Sequence, residues 1–149
     1  MAQGRDRDFR LRRVLQLRER QVEVCRDRLE RSRQDLQRWQ EHQRQVQERR
    51  QGAGLAPGGE GGELGGAQLQ LRERGRLWFD AELRRIAGEV EARRRAVEDA
   101  RTDLWEAEQR RQRLDRLRER FEERQKSEAK RQQRKRMNRW GNARNGRER

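Results

Sequence analysis

Residues 52–66 read GAGLAPGGEGGELGG, in which eight of fifteen positions are glycine and one is Pro57, the only proline in the chain. Glycine loses the most backbone freedom on entering a helix, and proline removes a hydrogen bond and clashes with the preceding turn. No helix survives such a stretch. The residues on either side of it have the opposite character. They are rich in Gln, Glu and Arg, straight side chains that lose little rotamer freedom in a helix.

Both flanking arms carry apolar residues at alternating spacings of four and three, which places a narrow stripe along one side of a helix. In the first arm the stripe runs Leu11, Leu15, Arg18, Val22, Cys25, Leu29, Ser32, Leu36, Trp39, Gln43 and Val46, eight apolar positions of eleven. In the second it runs Phe79, Leu83, Ile86, Val90, Arg93, Val97, Ala100, Leu104, Ala107, Arg111, Leu114, Arg118 and Phe121, ten apolar of thirteen. A stripe two positions wide in every seven is the seam of a coiled coil. Acid placed four residues before base, as in Asp27 and Arg31, Asp80 and Arg84, Glu91 and Arg95, or Glu106 and Arg110, adds support to exposed helix.

The expected fold is all-α: two long helices in an antiparallel coiled-coil hairpin, the second longer. Helix 1 is placed at about 8–50, the glycine-rich loop at 52–66 and helix 2 at about 67–138, within one hairpin covering 1–149. Closing a loop of this length within one chain costs less than recruiting a second chain, so a monomer is expected. Folding about Gly59 makes paired residue numbers sum to about 118, which sets Trp39 against Phe79, Leu36 against Leu83, Leu29 against Val90, Val22 against Val97 and Leu15 against Leu104. At about 1.5 Å per residue the helices would be about 65 and about 108 Å long. Helix 2 then overshoots once Leu11 has paired near Ala107, leaving Leu114, Leu117, Phe121 and Trp140 without a partner helix.

Composition agrees with a thin seam and excludes several other classes. Only 29% of the 149 residues are hydrophobic, 46% are charged and there is no tyrosine, so a thick enzyme-like core is not expected. No nucleophile and base are set together, so no catalytic residue and no cofactor site is assigned. The loop lacks the Gly-Lys-Ser/Thr ending of a phosphate loop. One cysteine, Cys25, and one histidine, His42, cannot build a disulfide or a zinc site, and no metal is expected. No apolar run approaches the roughly 20 residues of a membrane span, and the opening MAQGRDRDFRLRR lacks the apolar core of a secretory signal. A cytoplasmic chain without membrane insertion is expected.

The net charge of +14 is unevenly placed: residues 1–50 carry +6, 51–66 carry −2, 67–125 carry +2 and 126–149 carry +8. A terminal segment with ten bases and two acids should seek a negative surface. It can be read as a docking element for an acidic protein channel or ring, as a solvated helix end, or as a nucleic-acid contact in which arginine meets phosphate and Trp140 stacks a base. Nucleic acid ranks last, because no recognition fold surrounds the segment and acids interleave with the bases elsewhere. Cys25 lies on the seam as a small apolar filler, His42 falls off it and is expected in solvent, and Trp39 and Phe79 are expected to lock the loop end. Trp78 and Trp105, also off the seam, are the candidates for exposed aromatic contacts.

The opening Phe9-Arg10-Leu11-x-x-Val14-Leu15-x-Leu17-Arg18-Glu19 resembles the start of the FliJ/YscO family, small coiled-coil proteins of flagellar and injectisome type III export systems. The second arm is similar in style, with Trp105-Glu106-Ala107-Glu108 leading to Leu114-Asp115-Arg116-Leu117-Arg118-Glu119-Arg120. The likeness covers nearly the whole chain. Two features depart from it. The Asp-Glu pair common near the flagellar C-terminus is replaced by Met137-Asn138-Arg139-Trp140-Gly141-Asn142, and the glycine-rich tip is longer than usual. The choice between flagellar and injectisome systems stays open at this level.

The resemblance implies a non-enzymatic central stalk, similar to the shaft subunit of rotary ATPases. In that family the paired helix ends enter the pore of a hexameric export ATPase, the stalk links it to the export gate membrane protein, and some members escort export chaperones. It also implies a cytoplasmic location, peripheral to the inner-membrane export apparatus. The ATPase contact is then expected within residues 111–140, carried by Arg118, Phe121, Lys126, Arg131, Lys135, Arg136 and Trp140. The alternatives are a chaperone escort without effect on ATPase turnover and a basic coiled coil that binds nucleic acid.

Overall fold

The structure, a computed structural model, describes residues 2–54 and 65–147, with side chains from residue 10 onward. It contains two helices, α1 (Ala2–Gly52) and α2 (Gly66–Arg147), and no strand among the described residues. Both outrun the expected ranges, α1 at its start and α2 at its end. The break falls at the glycines: the Ala53 amide donates to the Arg49 carbonyl at 2.9 Å, and Gly54 takes a left-handed φ of 67°, which stops α1. Arg49 and Arg50 sit in the last turn of α1, where cations favour the negative end of the helix dipole. Residues 55–64, which include Pro57 and most of the glycine-rich loop, lie outside the described residues.

The described chain divides into two compact units, Glu23–Trp105 on the one hand and Met1–Val22 with Glu106–Arg149 on the other. In the first unit α1 and α2 run antiparallel. Leu29, Val97 and Ala100 form one buried cluster, flanked by Leu36 and Leu104. Val46, Ile86 and Val90 form a second, flanked by Leu36, Trp39, Phe79 and Leu83. Every seam position predicted on α1 is buried or half-buried, polar Arg18, Ser32 and Gln43 included; on α2 the one exception is Arg118. Each fully buried aliphatic side chain stabilises the pairing by about 1.5–3 kcal/mol, so a seam one residue thick suffices for helices this long.

The register differs from the expected one. Ion pairs that cross between the helices include Arg50 to Asp80 at 2.9 Å, Asp35 to Arg93 at 2.6 Å and Arg28 to Asp103 at 3.6 Å. The residue numbers of these pairs sum to 130, 128 and 131, against the expected value of about 118. The physical reason is that a seam repeating every seven residues matches apolar to apolar in several registers, while folding about Gly59 assumes that the two helices end level. They do not end level: Asp80 faces Arg50, so residues 66–79 extend beyond that pairing, with Arg72 Nη2 donating to the Gly54 carbonyl at 2.7 Å. The intervening 13 residues can reach about 40 Å when extended, so the loop does not forbid this.

The shift also separates Trp39 from Phe79. Trp39 lies instead beneath the guanidinium groups of Arg93 and Arg85, 5.6 and 5.9 Å from its ring centroid. Arg93, a base in an apolar seam, is satisfied by Asp35 across the pair and by Glu89 at 3.0 Å one turn back. His42 is half-buried, its ring edge-on to Trp39 at 5.9 Å, and not in solvent as expected; a wide indole on the seam reaches the residue one turn on. On the outer surface Arg44 clasps the Glu41 carboxylate at 2.8 and 3.1 Å, and Arg85 clasps Glu82 at 2.6 and 3.1 Å. These hydrogen bonds hold both carboxyls below their ordinary range.

A crosslink distinguishes the two registers. Leu29 shares its cluster with Ala100, whereas Val90 lies ten positions, about 15 Å of helix, further along α2. Leu29→Cys with Ala100→Cys should form an intrachain disulfide under mild oxidation, and Leu29→Cys with Val90→Cys should not. The reverse outcome would restore the register that sums to 118.

Candidate partner-docking surface

The second unit pairs the start of α1 with the later part of α2, and the expected partner contacts fall here. Leu15, Val22 and Ala107 are buried in it, and Leu114 and Phe121 are half-buried. Leu11 and Val14 line a groove together with Leu117 and Phe121. This corrects the expectation that Leu11 pairs near Ala107 and leaves Leu114 and Phe121 uncovered, while Leu117 stays 51% exposed. Of that set, Trp140 is fully outside the pairing, with 80% of its surface exposed.

Phe121 is the last half-buried residue of α2, and every described residue from 122 to 147 is exposed. Arg118 pairs with Glu122 at 3.0 Å, and beyond Glu122 no ion pair forms among the described residues. The bases of this stretch therefore present unneutralised charge on a continuous helix. From residue 126 to 147 that helix is about 33 Å long at about 1.5 Å per residue.

At about 100° per residue, Arg118, Lys126, Arg136 and Trp140 fall within one arc of about 80°. Phe121 lies about 60° to one side of that arc, and Arg131 and Lys135 lie at least about 100° from Arg118 on the same side. The helix thus brings four of the seven expected contacts onto one face and does not bring Arg131 and Lys135 to it. Arg144 and Arg147 join Trp140 on that face and, with Arg139, line a recess beside the indole. Their spacings of four and seven from Trp140 place them on its face. Among the family-motif residues, Leu11 and Leu15 face inward, Val14 is 38% exposed, Arg18 is half-buried and Glu19 is exposed. Arg18 donates to Gln21 at 2.9 Å, and the side chain of Phe9 lies outside the described residues.

Trp78 and Trp105 are exposed at 60% and 61%, as expected of off-seam aromatics. Trp78 packs edge-on against Phe79 at 4.9 Å and is accompanied by exposed Leu69, Leu71 and Leu77. No group of side chains among the described residues is arranged to hold a metal ion, and no described helix is long and apolar enough to cross a membrane.

The fold is a two-helix coiled coil whose second helix ends in a long, exposed basic stretch. The model of the family described as flagellar FliJ protein matches residues 7–138, and the chain belongs to that family. It is accordingly a component of the flagellar protein-export apparatus. The match embraces both arms and the loop between them. No curated protein sequence matches the chain, and no solved structure does.

Proposed function

We propose that the chain is the non-enzymatic central stalk of the export apparatus, in the cytoplasm, engaging the pore of a hexameric export ATPase and linking it to the export gate. The observation that carries this reading is the helix from 126 to 147: it is exposed throughout, basic, and free of internal ion pairs. Such a helix fits an acidic bore, where its charge gains a partner without first breaking one. The contact is assigned to Arg118, Phe121, Lys126, Arg131, Lys135, Arg136 and Trp140, with Arg144 and Arg147 completing the Trp140 face. ATP hydrolysis belongs to the partner. The exposed Leu69, Leu71, Leu77 and Trp78 of the other unit supply apolar side chains for the export-gate contact.

Salt tests the electrostatic part of this reading. The screening length falls from about 10 Å at 0.1 M to about 3 Å at 1 M ionic strength. Stimulation of the ATPase, normalised to its basal turnover at each salt concentration, should fall severalfold across that range. Stimulation indifferent to salt would remove the basic helix from the contact. An escort that binds chaperones would leave turnover unchanged at every ionic strength. A nucleic-acid binder would instead shift generic RNA in a salt-dependent manner.

A further inference from the structure

Within the unit formed by the start of α1 and the later part of α2, the groove of about 450 Å³ has a floor of Leu11, Val14, Leu117 and Phe121 and walls of Arg10, Arg120 and Arg124. Val14 and Leu117 are 38% and 51% exposed, so the floor is open to an occupant. No acid lines it. Arg118, on a neighbouring face, is neutralised by Glu122, but Arg120 and Arg124 make no ion pair or side-chain hydrogen bond among the described residues. They stand four residues apart on one helix, a like-charge spacing that is unfavourable by itself and becomes favourable when a carboxylate sits between them.

We infer that this groove is a docking site for an acidic amphipathic helix of a partner protein. Apolar residues at spacings of three and four would fill the floor, and Asp or Glu on their flanks would meet Arg10, Arg120 and Arg124. Two packed helices leave a furrow that a third helix fits, and binding there completes a three-helix arrangement over the exposed apolar side chains. Charge decides the occupant: a second copy of this basic chain would bring arginine to arginine. The inference goes beyond the proposed ATPase contact, which shares only Phe121 with this groove; Val14, Leu117, Arg120 and Arg124, the residues altered below, belong to the groove alone, so each reading can fail while the other stands.

The test uses the full chain and a dye-labelled helical peptide of about three heptads, with leucine at the first and fourth positions of each heptad and glutamate flanking them. Fluorescence anisotropy should show saturable one-to-one binding. Val14→Gln with Leu117→Gln, which keeps the charge of the chain, should weaken binding at least about tenfold, about 1.4 kcal/mol, because both apolar contacts with the peptide are lost. Arg120→Glu with Arg124→Glu should weaken it at least as much. Both variants should melt with the unaltered chain, since the altered side chains are exposed. Equal binding of a peptide of the same composition in scrambled order would overturn the inference, as would binding indifferent to the Val14 and Leu117 substitutions. Sedimentation showing that these substitutions dissolve a dimer of the intact chain would assign the groove to a second copy and overturn it too.

Discussion

Ile86→Asp is expected to abolish the cooperative melting transition of the paired helices near room temperature or to lower its midpoint by on the order of 15–30 °C. Ile86 is the most completely buried side chain described, with no exposed surface, and it sits among Val46, Val90, Leu36, Trp39, Phe79 and Leu83. A carboxylate there forfeits about 1.5–3 kcal/mol of apolar burial and leaves a charge with no partner inside the seam, together on the order of 3–5 kcal/mol. Domains of this size have only about 5–15 kcal/mol in total, and about 1 kcal/mol shifts the midpoint by about 4–8 °C. The nine buried apolar side chains described for the chain include two alanines, so the seam has little reserve with which to absorb such a loss.

Leu77→Asp, at a position 58% exposed on the same helix, is the control and should shift the midpoint by no more than a few degrees. Thermal melts followed by far-ultraviolet circular dichroism check both variants. If Ile86→Asp melts together with the unaltered chain, the helices do not pair along this seam.

The seam could be read in the sequence because its signal is local. A spacing of four then three survives the insertion of Arg18, Ser32, Gln43 or Arg93, since each sits at a seam position and either reaches the rim or finds a partner, as Arg93 does in Asp35 and Glu89. Arg118 departs from the pattern: it is exposed and pairs with Glu122 on its own helix. The register was not legible. Leu29 opposite Val90 and Leu29 opposite Ala100 are equally good apolar matches, and only the placement of Arg50, Asp35 and Arg28 against Asp80, Arg93 and Asp103 separates them.

Legibility of the candidate sites follows the same division. The basic face around Trp140 lies on one helix and is encoded in spacings of four and seven. The arginine-walled groove requires Arg10 to meet Arg120 and Arg124 across two helices more than a hundred residues apart, which depends on the register. Once the register is known, Phe121 ceases to be part of an uncovered end and becomes part of a floor.

The second large effect concerns function. Ending the chain after Gln125 removes the segment of charge +8 and the Trp140 face, yet leaves Phe121 and all of the seam in place. Its melting transition should match that of the intact chain, because every described residue from 126 to 147 is exposed and makes no ion pair with the rest. On the proposed stalk reading its effect on the export ATPase should nonetheless disappear, since the bases proposed to meet an acidic bore are gone. The paired outcome separates a lost contact from a lost fold.

The turnover of the purified flagellar export ATPase, titrated with the intact chain and with the chain ending at Gln125, tests the stalk reading most directly. The intact chain should raise turnover saturably at one chain per hexamer, and the shortened chain should leave it at the basal rate. Turnover unchanged by the intact chain, or raised equally by both, would contradict it.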